Sequence, residues 1–551
     1  MENKAIAKTF QFLASIMELH GENPFKIRSY QNAYRNLRNL DQPLAEMSAE
    51  AIAALPGVGS AISAKIQELL SSGQMQTLEK YREKTPEGIQ EMLNIKGFGP
   101  KKIMAVWRGL GVESAGELLY AANENRLVEL KGFGKKSQEE IRKQLEYYLR
   151  SKHQFHYAAL EAEAESLLAE IGRRLPGAKA SLCGAIRRRA NVLERIEVLI
   201  GLEGSLDALF EDWLTETGRD GSAILAQTPE EVPVALFPCA PQEFGSKLFR
   251  YTAQPDFLDA FVKTYPGLDF KGLPEESEVF AKAGLPFIAP ELREQEWALQ
   301  LAREGRLPAL IEGTDIKGLL HAHSTYSDGS QSLRELALYV KELGYEYLGI
   351  TDHSKAAFYA NGLQPERVFQ QWAEIDALNA ELAPFRIFKG IESDILGDGS
   401  LDYEEDILRG FDFIIASIHS NLRMDEAKAT QRLIKAIENP YTSILGHPTG
   451  RLLLSREGYP IDYQRVIDAC AANGTAIELN ANPYRLDLDW SWLPYALEKG
   501  VLIAVNPDVH SREGVHHLHF GICSARKGGL HAGACLNTLD REGFERWARQ
   551  A

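Results

Sequence analysis

No run of apolar residues in this 551-residue chain is long enough to cross a bilayer, which excludes a helical membrane protein. The opening stretch, MENKAIAKTF, lacks a signal-peptide pattern, so a cytoplasmic protein is expected. Cysteine is scarce. The five present (Cys183, Cys239, Cys470, Cys523 and Cys535) are scattered, and none forms a C-x-x-C pair. Neither a disulfide framework nor a thiolate zinc site is therefore expected. Overall positive charge is lacking too: the net charge is −16, which excludes a chain that is basic throughout. The charge is uneven, however. Residues 1–150 carry 21 Lys and Arg against 18 Asp and Glu, and the remaining residues carry −19. Local placement of cations and backbone amides, not the total, decides whether such a chain grips DNA. The length exceeds what one core can organise, so several domains are expected.

Residues 1–150 read as almost wholly helical and contain an internal repeat. LPGVGSAISAKI (55–66), IKGFGPKKIMAV (95–106) and LKGFGKKSQEEI (130–141) each place an aliphatic residue, a Gly-h-Gly turn and a helix start in one frame. Such a turn lets backbone approach closely, and the following helix start exposes N–H groups; both suit a phosphate oxygen. The pattern resembles the helix-hairpin-helix motif, which holds a DNA backbone without reading bases. On that resemblance the DNA-binding positions are Gly57, Gly59, Gly97, Gly99, Gly132 and Gly134, with Lys101, Lys102, Lys135 and Lys136 adding charge. The stretch NPFKIRSYQNAYRNL resembles the start of the lyase-type domain of family X DNA polymerases. Lys65 stands where that family can form a Schiff base with an abasic sugar, the chemistry of a desolvated lysine.

Residues 151–290 change to mixed character, with strand-like ASLCGA, RIEVLIG and VPVALFP. This part resembles a family X palm and thumb, a nucleotidyltransferase-like α/β fold whose three carboxylates hold two metals. The two positions of the expected Asp-x-Asp hold Arg195 and Glu197, and the third carboxylate position falls at Pro233 or Val234. A cation in place of a ligand repels the dication that should bind, so loss of polymerase activity is expected, the alternative being a shifted alignment in which Glu194 or Glu231 serves instead. The neighbouring Arg187, Arg188 and Arg189 could still hold a phosphate. A helical connector with a proline break follows, over 291–315.

From 316 to 551, short apolar strands alternate with helices: GLLHAHS, YLGITDHS, RIFKGIESDI, FIIASIHS, SILGHPTG, AIELNAN and LIAVNPDVH. This is a β/α barrel pattern, in which reactive groups sit where strands end. Nine imidazole and carboxylate residues fall at those ends: His321, His323, Asp328, His353, Glu392, His419, His447, Asp508 and His510. Residues two apart in H-x-H and D-x-H share a face. Imidazole and carboxylate without thiolate suit Mn²⁺, Zn²⁺ or Fe²⁺, and Glu392 and Asp508, with two oxygens each, are the better candidates for bridging. His516, His517 and His519 fall outside the pattern and are read as local structure. Arg451, Arg485 and Lys355 lie just beyond ligand-bearing strands and could grip phosphate.

The order of donors closely resembles the PHP (polymerase and histidinol phosphatase) domain, which implies a distorted (β/α)7 barrel with two or three divalent metals, Mn²⁺ first among them. The whole chain resembles bacterial PolX-type proteins, a multidomain architecture of hairpins, palm and PHP barrel. That resemblance implies DNA-repair phosphodiesterase work: 3′-5′ exonuclease, abasic-site endonuclease or 3′-phosphatase. It also implies gapped, nicked or abasic DNA as substrate, other base-excision repair proteins as partners, and association with the nucleoid. A bifunctional gap-filling polymerase and exonuclease is the alternative. A small-molecule phosphatase of the histidinol phosphatase type is a second, against which three backbone-phosphate grips count.

Overall fold

The computed structural model describes residues 3–38, 40, 42–95, 98–150 and 154–549. The chain forms two compact units, Met1–Leu149 and Arg150–Ala551. No described helix is long and apolar enough to cross a membrane.

In the first unit, helix Asn3–Leu19 packs on helix Pro24–Leu37, burying Phe10, Leu13, Ile16 and Met17 against Ile27, Tyr30 and Ala33. Asn23 starts the second of these helices, its side chain accepting the Phe25 N–H at 2.9 Å. Such caps satisfy amides that a helix leaves open. The three repeats then fold as helical hairpins. Helix Ala49–Ala53 turns into Ser60–Ser72, Glu87–Met92 leads toward Pro100–Leu110, and the short 3-10 turn Arg126–Glu129 leads into Lys135–Arg150. In the first two, the apolar residue between the glycines, Val58 or Phe98, is buried. Gly57 and Gly132 have φ of 74° and 95°, the left-handed region that a side chain disfavours.

The second unit opens with a five-stranded sheet: β1 (Lys179–Leu182), β2 (Ile196–Gly201), β3 (Thr215–Asp220), β4 (Ala223–Gln227) and β5 (Pro233–Cys239). Their spatial order is β1-β2-β5-β4-β3, with only β2 and β5 parallel. Alternation along β2 covers both faces of the sheet. Ile196, Val198 and Ile200 join the core under helix Tyr157–Arg174, while Leu199 packs with Phe244 and Leu248 on the other side. Phe249, Phe257, Phe261 and Phe280 build the adjoining helical thumb.

Seven parallel strands follow: β6 (Gly318–Leu319), β7 (Tyr347–Ile350), β8 (Arg386–Asp394), β9 (Phe413–Ser417), β10 (Ile444–Leu445), β11 (Ala476–Asn480) and β12 (Ile503–Asn506). They lie side by side in chain order. A parallel bridge between Ala322 and Val509 joins the first strand's extension to the last, with His323 N–H donating to Val509 O at 2.8 Å. The barrel thus closes at the end where the candidate ligands stand.

Aromatic rings plug the opposite end. The C-terminal segment forms helix Arg541–Ala548 and drives Phe544 among Tyr347, Phe388 and Phe413 at ring distances of 5.1, 4.8 and 5.6 Å. The Phe413 ring fits because Gly390 leaves space: a Cβ there would stand 2.6 Å from Phe413 Cζ and 2.7 Å from the Ile350 carbonyl.

Acids of the connector join the palm to the barrel. Glu291 pairs with Arg189 (3.6 Å) and Arg526 (2.9 Å), while Glu294 pairs with Arg188 (3.2 Å) and Lys527. Glu276 of the thumb holds Arg187 (2.7 Å) and the fully buried Arg293 (2.5 Å). Arg187, Arg188 and Arg189 are therefore committed to internal acids. This differs from the expectation that they hold a phosphate: the nearest of these partners, Glu276, lies 89 positions from Arg187, out of reach of local sequence.

Gly390→Ala is expected to overpack the barrel floor and cost about 1–3 kcal/mol. The readout is a lowered thermal midpoint that Phe413→Leu partly restores; an unchanged midpoint would mean that the floor is loosely packed.

Candidate metal centre

All nine candidate donors converge on the mouth of the barrel. Glu392, near the end of β8, is 1% exposed. Its Oε1 lies 3.0 Å from His447 Nε2, 3.1 Å from His419 Nε2 and 3.5 Å from His321 Nε2. Its Oε2 lies 2.9 Å from His353 Nδ1 and 3.7 Å from His323 Nε2. One carboxylate thus faces imidazoles from β6, β7, β9 and β10. Asp508, just past β12, stands 3.1 Å from His323 and 3.4 Å from His321. It does so from a left-handed backbone at φ 55°, a conformation whose strain is typical of side chains held for function. Asp328 lies 3.4 Å from His510, 3.5 Å from His353 and 3.8 Å from His323. Three overlapping sets result: His323, Asp328, His353 and His510; His321, His323 and Asp508; and His353, Glu392 and His419.

These residues fit divalent cations. The Nε2 atoms of His321 and His353 are buried without hydrogen-bond partners, at 3.4–3.5 Å from carboxylate oxygens. Buried polar atoms left so are costly unless an ion takes them up. Ionic form agrees with this. Burial opposes charge on Asp328, Glu392 and Asp508, yet the surrounding imidazoles hold all three well below the usual carboxylate range. Burial together with His510 and His353 pushes His323 down to about 3, a neutral ring able to ligate. Burial also disfavours charge on His353, but Asp328 and Glu392 outweigh it and raise that ring to about 10.

A second layer of side chains went unread in the sequence. Glu478 on β11 lies 2.7 Å from His321 Nδ1 and accepts the His447 N–H at 3.2 Å. Asn506 and Asn480 donate to it at 2.9 and 3.1 Å. Asp394 is hydrogen-bonded to His419 Nδ1. Asp352 accepts from the Ser324 N–H at 2.8 Å, the Ser327 N–H at 3.0 Å and Gln371 at 2.6 Å, tying down the loop that carries Asp328. Such partners fix ring orientation and ligand basicity. The available signal was an acid inside an apolar strand: Glu478 in AIELNAN, and Asp394 two residues after Glu392.

The proposed phosphate grips fare differently. Arg451 is tied to Asp489 (2.5 Å) and to the carbonyls of Arg485 (3.0 Å) and Leu486. Its guanidinium braces a loop. Arg485 is buried near His447, where its charge, after burial itself, depresses that imidazole. Lys355 stands over the Tyr403 ring at 5.5 Å.

In the palm, Arg195 lies 3.6 Å from Glu197 Oε1, and Glu197 Oε2 accepts the Ala185 N–H at 3.2 Å. Glu197 pairs in register with Ala235 of β5, and that strand, PVALFPC from Pro233 to Cys239, holds no acid. In the hairpins, Gly57, Gly59, Gly99, Gly132 and Gly134 are exposed, as are Lys101, Lys135 and Lys136; Lys102 and Lys65 are half-buried. Gly97 lies outside the described residues. Gly134 N–H already donates to Ser137 Oγ at 2.8 Å, so the third hairpin offers one amide fewer.

A closed parallel barrel with imidazoles and carboxylates gathered at its mouth defines a metal-dependent phosphoesterase of the PHP class. Comparison with known proteins agrees. A PHP domain profile matches residues 320–482, a helix-hairpin-helix domain profile residues 1–75, and a SAM-like helix-hairpin-helix tandem profile residues 89–146. The PHP match stops short of Asp508 and His510, which the structure folds back onto the mouth. The chain is 34% identical, over the full length of both proteins, to the DNA polymerase/3′-5′ exonuclease PolX of Bacillus subtilis strain 168. It therefore belongs to the PolX family. A probable phosphatase of Thermoanaerobacter sp. strain X514 is 30% identical over 35% of this chain and 86% of its own length. One from Caldanaerobacter subterraneus subsp. tengcongensis is 36% identical over 22% and 50%.

Because His353 is held up to about 10, a metal ion must displace its proton, so affinity should rise with pH. Titrating Mn²⁺ at about pH 6 and pH 8 in buffers of different ionisation enthalpy is expected to show proton release and tighter binding at the higher pH. Affinity independent of pH would mean that the rings bind metal without losing protons.

Proposed function

We propose that this chain is a DNA-repair phosphodiesterase whose barrel removes nucleotides or 3′ blocks from DNA ends, while its palm no longer polymerises. The supporting observation is the contrast between the two sites. Nine donors, Glu392 among them, gather at the barrel mouth, whereas at the two expected Asp-x-Asp positions the palm offers Arg195 and a Glu197 already engaged by Arg195 and the Ala185 amide. Two or three divalent ions, Mn²⁺ foremost, would be held by the nine barrel residues; such ions activate water and neutralise phosphate charge. The chain's own part is orientation. Glu478 and Asp394 fix the rings of His321 and His419, Asp352 fixes the Asp328 loop, and Arg485 places a positive charge beside the mouth.

DNA as substrate rests on the hairpins. Exposed Gly-h-Gly turns and the lysines at Lys101, Lys135 and Lys136 suit a phosphate backbone, gapped, nicked or abasic, without base reading. Lys65, half-buried on its helix, is the residue assigned to abasic-sugar chemistry. One observation favours a second reading, retained gap filling: the full-length relative in Bacillus subtilis is named a DNA polymerase as well as an exonuclease.

Glu392→Gln keeps the size of the central carboxylate but removes its charge. Cleavage of a 3′-labelled duplex is expected to fall by more than about 100-fold, with retention on DNA unchanged in a gel-shift assay. Cleavage at the unaltered rate would remove the barrel as the hydrolytic site. Equal loss on a free phosphomonoester that the wild type prefers to DNA would favour a small-molecule phosphatase.

A further inference from the structure

A second cluster of metal-ligating side chains lies away from the barrel mouth, where palm and barrel meet. Helix Leu518–Lys527 of the barrel carries His519 and Cys523, four positions apart and hence on one helix face. Helix Tyr157–Arg174 of the palm brings Glu161 against them. His519 Nε2 stands 2.7 Å from Glu161 Oε1 and 3.7 Å from Cys523 Sγ, and one donor atom from each residue lies within 4.8 Å of the other two. We propose that Glu161, His519 and Cys523 form a separate binding site for a borderline-soft divalent cation, zinc in particular, that pins the palm helix to the barrel helix.

The donor set sets this site apart from the mouth. A thiolate with one imidazole and one carboxylate favours zinc, whereas the barrel centre has oxygen and nitrogen donors only. The spacing is compatible. Ligand bonds of about 2.0–2.3 Å in tetrahedral array separate their donors by about 3.3–3.6 Å. The His519–Cys523 gap of 3.7 Å is just beyond that range, and the Glu161–His519 pair at 2.7 Å needs to open by about half an ångström. Outer contacts support the ligands as they do at known zinc sites. Tyr157 Oη donates to Glu161 Oε1 at 2.9 Å, and Arg189 Nη1 donates to Cys523 Sγ at 3.3 Å. The Arg189 charge beside the sulfur is balanced by Glu291 at 3.6 Å. Cys523 is 2% exposed but the His519 side chain is 50% exposed. That ring borders a cavity of about 440 Å³, also lined by Arg189, His516 and Arg526, so solvent reaches the imidazole side of the cluster. Binding would release two protons to solvent, one from the Cys523 thiol and one from the His519 imidazolium that pairs with Glu161.

The test uses the full-length protein, stripped of metal and titrated with Co²⁺, which reports thiolate ligation by a near-ultraviolet charge-transfer band. No cysteine belongs to the barrel donor set, so that band isolates this site. The expected result is a band saturating at about one equivalent, displaced by Zn²⁺, lost in Cys523→Ser and retained in Glu392→Gln. His519→Ala, whose ring is half exposed, should weaken Co²⁺ binding at this band at least about tenfold even if Cys523→Ser fails to fold. Absence of the band in the wild type, or its persistence in Cys523→Ser, would overturn the proposal and leave Glu161–His519 as an ion pair beside a packed thiol.

Discussion

Glu392 is a carboxylate withdrawn from water with five imidazoles within 3.7 Å of its two oxygens. Such a crowd of donors is stable only if charge is balanced, by protons or by metal ions, because the site is too buried for solvent to do it. Much of the barrel is arranged around that demand. The first strand's extension bonds to the last through Ala322, His323 and Val509, which closes the ring of ligands. Asp508 accepts a left-handed backbone to present its oxygens. Glu478, Asp394 and Asp352 orient the rings and loops from behind. The aromatic floor under Phe544 makes the opposite end solid, so the mouth is where a substrate can be received.

The palm carries its charges differently. Its basic turn, Arg187 to Arg189, is spent on Glu276, Glu294 and Glu291, and the last two also hold Arg526 and Lys527 of the barrel. Breaking one member of a buried pair strands its partner, so these links bind palm, connector and barrel as one body more than they add stability. Glu197, on the palm strand beside Arg195, is likewise satisfied within the protein. A fold that resembles a synthetic enzyme is here occupied by its own side chains.

Features carried by short-range pattern were legible in the sequence. Strand alternation in RIEVLIG, the Gly-h-Gly repeat, and H-x-H or D-x-H at apolar strand ends each place side chains by local geometry alone. What depended on distant partners was not legible. Glu478 meets His321 across 157 positions, so it read as one more strand residue. Arg187 meets Glu276 across 89 positions, so the basic turn read as a phosphate grip. Arg451 meets Asp489 across 38 positions, a partner that local spacing does not reveal. The absence of C-x-x-C spacing argued against a thiolate site, yet His519, which stands beside Cys523, finds Glu161 across 358 positions.

The central claim is that one site hydrolyses phosphodiesters and the other makes none. It is tested most directly by incubating the full-length protein with Mn²⁺, dNTPs and a one-nucleotide-gapped duplex labelled at the primer 5′ end, and following primer length on a denaturing gel. Shortening without extension is the predicted outcome. Extension of the primer would contradict it, because Arg195 would then not bar metal binding in the palm.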